Sequence, residues 1–285
     1  MDAVKTIQAN GLEIAYLEAG SGPLVLLLHG FPDTADTWAE LMPVLAGAGF
    51  RAVAPYLRGY YPTAIPADGD YSVRTLALDA LALMAALGEE CAVIVGHDWG
   101  ASIGYVAANL APERVRKLVT VAIPHLRVIK PSVKAMWRAP HFLLFQAGRL
   151  SEWMVRRGDY AYIDHLYAYW SPDWAVPAAD MARVKDALRR PGRLTAALGY
   201  YQQLFRELPD KGLQALYRGR TSVPTLSFAG KRDGALDSAI FNDTKAAFTG
   251  RYEMVFMEQA GHFLHREAPA VFARELLRFL GAGMA

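Results

Sequence analysis

The strongest chemical signal in the 285-residue sequence is an aspartate between two glycines, in the run Gly96-His97-Asp98-Trp99-Gly100. The residues before it, Ala92-Val93-Ile94-Val95, form an apolar, largely β-branched run, and residues 101–110 have the composition of a helix. A side chain displayed on so sharp a strand-to-helix turn needs small neighbours two residues away on each side, which Gly96 and Gly100 provide. Serine is the usual occupant of such a turn. Here it is a carboxylate, which can attack carbon and form an ester that water later hydrolyses. Helix capping is the competing explanation for Asp98, because it stands where a helix begins. A decoy follows in Gly100-Ala101-Ser102-Ile103-Gly104, which has the same spacing around a serine. No strand precedes Ser102, so the pattern puts it in the first turns of the helix.

An ester on Asp98 requires a base to activate water and an acid to orient that base. Both are expected on loops after later strands. Asp233, in Gly230-Lys231-Arg232-Asp233-Gly234, follows the strand-like run 223–229, and His262, in Ala260-Gly261-His262-Phe263, follows 252–257. Alone, an Asp before Gly is a common turn residue. The two together, in order and after strands, form the set Asp98, Asp233 and His262. His265 is the rival base, but three residues further on it falls in the next helix. The turn His29-Gly30-Phe31-Pro32 follows the run 24–28 and can aim the N–H of Phe31 at the site, paired with that of Trp99, as an oxyanion hole.

These residues need a scaffold, and the apolar pattern supplies one. An Asn10-Gly11 turn joins an opening hairpin. The runs 24–28, 51–55, 92–95 and 118–122 then read as strands buried on both faces of a parallel sheet, where neither side can be polar. A helix is expected over 73–87, with Ser72 as N-cap and Gly88 as stop. Strands resume at 223–229 and 252–257, and an amphipathic helix over 269–280 closes the chain. The stretch 125–220 differs, holding four of the six tryptophans and seven of the fourteen tyrosines at helical spacing. It reads as a helical cap inserted after the fourth of those strands. The organisation is therefore a core of 1–124 and 221–285 with a cap of 125–220.

Composition narrows the function classes. The chain is 53% hydrophobic and 20% charged, with a net charge of +2. This suits a globular protein and gives no footprint for nucleic acid or an anionic membrane. The single cysteine, Cys91, excludes an intramolecular disulfide and a cysteine-rich zinc site, and is expected to be a buried structural thiol. The start of the sequence lacks signal-peptide regions, and no apolar run approaches the roughly 18 residues that would span a bilayer. A cytoplasmic location is expected. There is no His-Glu-x-x-His and no phosphate-binding glycine loop, so neither metal nor cofactor is expected.

Taken in order, these motifs resemble the epoxide hydrolase branch of the α/β-hydrolase superfamily, whose nucleophile is an aspartate. His29-Gly30-Phe31-Pro32, Arg58-Gly59-Tyr60, Gly96-His97-Asp98-Trp99-Gly100, the Asp233 loop and Gly261-His262 carry the likeness, from about residue 24 to 270. The resemblance implies an α/β-hydrolase fold with an eight-stranded, mostly parallel sheet and a helical cap. It also implies an enzyme that opens an apolar epoxide to a vicinal diol. Asp98 would attack a ring carbon, two cap tyrosines would donate hydrogen bonds to the departing oxygen, and His262, oriented by Asp233, would activate water. One family tyrosine falls on Tyr201, in Ala197-Leu198-Gly199-Tyr200-Tyr201. The other would precede Phe145-Gln146 by four residues, where this chain has His141, whose imidazole can also donate. The remaining cap aromatics, Tyr160, Tyr162, Tyr167, Tyr169 and Trp170, are expected to pack. The partner implied is a small apolar substrate, and either a monomer or a homodimer is expected. Two alternatives stay open: a haloalkane dehalogenase using the same triad, with Trp99 and a cap tryptophan such as Trp170 or Trp174 binding halide, and a non-catalytic ligand receptor on the same scaffold. The arginines one and four residues after the nucleophile in fluoroacetate dehalogenases are replaced by Trp99 and Ser102.

Overall fold

The computed structural model describes residues 3–130 and 137–281. Its centre is an eight-stranded sheet ordered β1(Lys5–Ala9), β2(Leu12–Ala19), β4(Arg51–Pro55), β3(Leu24–Leu28), β5(Ala92–His97), β6(Val115–Val121), β7(Thr225–Gly230), β8(Tyr252–Met257). β2 runs antiparallel to both of its neighbours, and the ladders from β4 through β8 are parallel. Every residue of β3, β5 and β7 is buried; β3 and residues 92–95 of β5 are apolar without alternation, and β7 satisfies its buried Ser227 by a 2.8 Å hydrogen bond with Thr120 Oγ1. Positive φ at Asn10 (49°) and Gly11 (71°) makes the opening hairpin, as the Asn-Gly pair predicts.

The helix expected over 73–87 is α2(Val73–Ala86). Ser72 Oγ accepts the Thr75 N–H at 3.1 Å as its N-cap, and Gly88 follows at φ 83°. Two strand boundaries differ from the sequence pattern. β6 begins at Val115 because the Lys117 ammonium reaches the carbonyls of Phe279 and Leu280, at 2.8 and 3.0 Å, so its polar end is satisfied within the fold. β7 begins at Thr225 because Pro224 has no N–H for the ladder. Cys91 is only half-buried, contrary to expectation. It lies just before β5, and its Sγ accepts from Arg116 Nε at 2.8 Å.

Helices cover the sheet: α1(Leu41–Gly47), α2, α3(Trp99–Leu110) and, after β8, α9(Leu264–Glu267) and α10(Pro269–Gly281). Between β6 and β7 lie α4(His141–Leu144), α5(Arg149–Trp170), α6(Ala178–Arg189), α7(Arg193–Glu207) and α8(Lys211–Tyr217). Residues 131–136 of the expected cap lie outside the described residues. α5 is interrupted by left-handed residues at Gly158, Asp159 and Tyr160. Hydrogen bonds tie this helical layer to the loops at the strand ends. Tyr167 donates to Asp33 Oδ1 (2.8 Å), Tyr200 to the Arg58 carbonyl (2.7 Å) and Arg193 to the Gly59 carbonyl (3.1 Å). Among the described residues no helix is long and apolar enough to cross a membrane.

Candidate active site

From β3 the chain passes to β4 on one side and later to β5 on the other, so a crevice opens beyond the carboxyl ends of β3 and β5. Asp98 stands there, between β5 and α3, at φ 53° and ψ −117°. That left-handed backbone costs a non-glycine residue roughly 1–3 kcal/mol and needs a surrounding structure that enforces it. The flanking glycines do so. A Cβ on Gly96 would lie 2.1 Å from the Gly100 carbonyl oxygen, and one on Gly100 would lie 2.1 Å from that of Leu28. Gly30 is equally constrained, because its Cβ would meet the Asp98 Cβ at 2.3 Å. The glycine spacing read from the sequence is thus a record of three backbones in contact.

The Phe31 N–H donates to Asp98 Oδ1 at 2.9 Å. His29 fixes the turn that aims it. Burial pushes the His29 imidazole down to about 4, so it is neutral, and its Nε2 accepts the Leu57 N–H at 3.0 Å. Its Nδ1–H is therefore left to donate to the Gly30 carbonyl, also at 3.0 Å. Trp99 opens α3, where a backbone N–H has no acceptor within the helix.

Asp233 and His262 converge on the other Asp98 oxygen. His262 Nδ1 is 2.8 Å from Asp233 Oδ2, and Nε2 is 3.5 Å from Asp98 Oδ2. The first contact is a hydrogen bond; the second is an ion-pair distance that leaves Nε2 without a hydrogen-bond partner. Asp233 Oδ1 accepts the N–H groups of Ala235 (2.7 Å) and Leu236 (3.1 Å), which fixes its carboxylate. Burial opposes charge on His262, but Asp233 and then Asp98 outweigh it and push the imidazole up to about 10. Burial also opposes charge on Asp98, yet His262, His97 and the Phe31 N–H hold its carboxyl below the ordinary value.

Tyr201 and His141 lie over this pair. The Tyr201 ring is 5.0 Å from Trp99, 5.4 Å from Phe31 and 5.6 Å from His141. Burial, then the Asp98 charge, keeps the Tyr201 hydroxyl protonated far above its usual range. Burial lowers His141 to about 4, so its ring is neutral, and its buried Nδ1 has no partner. Trp170, expected to pack or, in the dehalogenase alternative, to bind halide, forms a wall of the candidate site. Its ring stands 4.9 Å from His262 and 5.1 Å from His141, and its buried Nε1 has no partner. Helical spacing gave no signal for it, since packing and site-facing aromatics share that period.

Ser102 is three residues into α3, with its N–H 3.3 Å from the Asp98 carbonyl, so it is a first-turn helix residue. His265 lies in α9 with Nε2 2.8 Å from Thr37 Oγ1. With Asp33 and His97 it forms one buried group whose residue types could ligate a divalent cation, with atoms within 4.8 Å of one another. His97 Nε2 meets the His262 carbonyl at 3.0 Å, and Asp33 accepts from Tyr167, so this group backs the His262 loop.

The profile of the alpha/beta hydrolase fold family matches residues 23–269. The chain is 31% identical to the AB hydrolase superfamily protein YfhM of Bacillus subtilis, over 98% of this chain and 99% of that one. It is 29% identical to an epoxide hydrolase of Caballeronia sordidicola, over 96% and 92%. Among solved structures it is similar to an epoxide hydrolase from an endophytic Streptomyces. That match has a TM-score of 0.86 and 27% identity, and covers 98% of this chain and 95% of the other. The chain belongs to the α/β-hydrolase fold family and, within it, is an epoxide hydrolase-like protein.

Proposed function

We propose that the protein hydrolyses small apolar epoxides to vicinal diols through an ester on Asp98. The observation that carries this reading is the division of labour between the two Asp98 oxygens. Oδ1 accepts the Phe31 N–H, while Oδ2 faces His262. In the first half-reaction Oδ2 attacks a ring carbon, the ring C–O bond breaks, and the oxygen that leaves takes a proton from Tyr201, with His141 as second hydrogen-bond donor. A strained ring has a poor leaving group, so this donation is needed. In the second half-reaction His262 takes a proton from water, and the hydroxide attacks Asp98 Cγ. Charge gathers on Oδ1, where the N–H groups of Phe31 and Trp99 stabilise it. Collapse expels the former Oδ2 as a diol hydroxyl oxygen, which takes its proton from the new Asp98 carboxyl, while the His262 imidazolium gives up its proton to restore the Tyr201 phenol. Asp233 holds the His262 tautomer and stabilises the imidazolium.

Residues 125–220 act in this reading as a cap that supplies the donors and closes the pocket. Phe31, Phe145, Trp99 and Trp170 make its walls aromatic, which suits an apolar substrate. The similar proteins named as epoxide hydrolases support the same substrate class. A second reading rests on Trp170, whose unpartnered indole N–H beside His262 offers a halide a donor. An assay panel of an aryl epoxide, a bromoalkane and an aryl ester separates the two, with diol as the expected main product. Halide as the main product would favour dehalogenation, and no product from any of the three would favour a receptor. His262→Gln is expected to stop turnover with the ester in place, visible as an added substrate mass on the intact protein. Absence of that mass would remove His262 from the base role.

A further inference from the structure

Three consecutive backbone N–H groups, those of Gly261, His262 and Phe263, are held by residues outside their own loop. The Gly261 N–H donates to Glu267 Oε2 at 2.7 Å. The His262 N–H is shared between Ser171 Oγ at 2.9 Å and the Trp170 carbonyl at 3.1 Å. Phe263 donates to the same Ser171 Oγ at 3.2 Å. The Ser171 hydroxyl proton goes to Glu267 Oε1 at 2.6 Å, which leaves its lone pairs for the loop. Ser171 is fully buried and caps the C-terminus of α5.

The same helix end reaches the orienting acid. The Trp170 carbonyl accepts the Gly234 N–H at 3.2 Å, one residue beyond Asp233. Both glycines are demanded by this contact. A Cβ on Gly234 would lie 1.9 Å from the Tyr169 carbonyl oxygen, and one on Gly261 would lie 2.6 Å from that of Trp170. Asp-Gly and Gly-His, which read as turn signals in sequence, are the footprints of a helix end pressed against two loops.

From this geometry we infer that Ser171 and Glu267 are positioning residues that hold His262 over Asp98, making ester hydrolysis depend on the docking of the α5 end. The inference rests on the two-step reading above. Asp98 is set by β5, α3 and the Phe31 N–H and takes no bond from the latch, so alkylation does not depend on it. Hydrolysis does, because a base displaced by about 1 Å loses on the order of 100-fold in rate.

The test is single-turnover kinetics with styrene oxide, resolving ester formation from ester hydrolysis in wild type, Ser171→Ala and Glu267→Gln. Glutamine keeps an acceptor for Ser171 but presents an amide N–H to the Gly261 N–H, so it should be the milder variant. Expected are formation rates within about twofold of wild type and hydrolysis slowed about 100-fold in Ser171→Ala, with the ester accumulating on the protein. Equal slowing of both steps, or of neither, in the variant that folds would overturn the inference while leaving the two-step reading intact. No ester in wild type would overturn the reading itself, and the inference with it.

Discussion

As the proposed nucleophile, Asp98 must be ionised in a buried site, and burial alone would favour its neutral acid. His262 and the Phe31 N–H reverse that preference, so the carboxylate persists below the usual range. His262 is raised to about 10 by two carboxylates, yet it must be neutral to accept a proton from water. Esterification resolves the conflict, because it removes the Asp98 charge and lets the imidazole pKa fall. The signs for the two half-reactions are therefore different. Ester formation needs a carboxylate whose pKa is lowered, so its rate should stay flat as pH falls towards about 4. Ester hydrolysis needs neutral imidazole, so its rate should rise with pH and level off above the pKa of the ester form, below about 10. Stopped-flow single turnovers across this range would read both profiles, and a shared profile would contradict the assignment. In the proposed cycle Tyr201 acts as a donor only in the first half. Tyr201→Phe should slow ester formation about 100-fold and leave ester hydrolysis unchanged, as read by the same method.

The elements place these groups by close backbone approach more than by side-chain packing. Gly100 shows it best, since its hydrogen faces the Leu28 carbonyl of β3 at a distance where no methyl fits. Gly100→Ala should therefore separate α3 from β3 and cost about 1–3 kcal/mol of stability, measured as a lower denaturation midpoint, with activity lost. An unchanged midpoint would mean the turn is looser than described. This level was partly legible in the sequence. Gly96, Gly100 and the apolar run before them announced the turn, and the order Asp233 then His262 placed the partners after late strands. The latch was not legible, because Ser171 and Glu267 carry no motif and meet His262 only through tertiary contact. Trp170 was legible only as one of two cap tryptophans that could bind halide, and Cys91 was put in the core because it abuts an apolar run whose buried strand starts one residue later.

At the scale of the whole molecule, the sheet and its loops carry Asp98, Asp233 and His262, and the helical layer between β6 and β7 carries Tyr201 and His141. Tyr167 and Tyr200 bond that layer to the loops of the sheet, while the α5 end holds the His262 loop, so donors and base are set by separate contacts. The sheet was readable from runs of Val, Leu and Ile because burial on both faces leaves no alternative pattern. The identity of the leaving group was not, because it depends on which aromatic N–H and O–H groups face the pocket. What unites the two layers in the proposed reaction is a covalent cycle on Asp98, and its oxygen can be followed. In a single turnover of an aryl epoxide with excess enzyme in ¹⁸O-labelled water, the first diol should carry unlabelled oxygen from Asp98, and the label should appear in the carboxylate. Label in that first diol would mean that water attacks the substrate directly, and would contradict the ester mechanism.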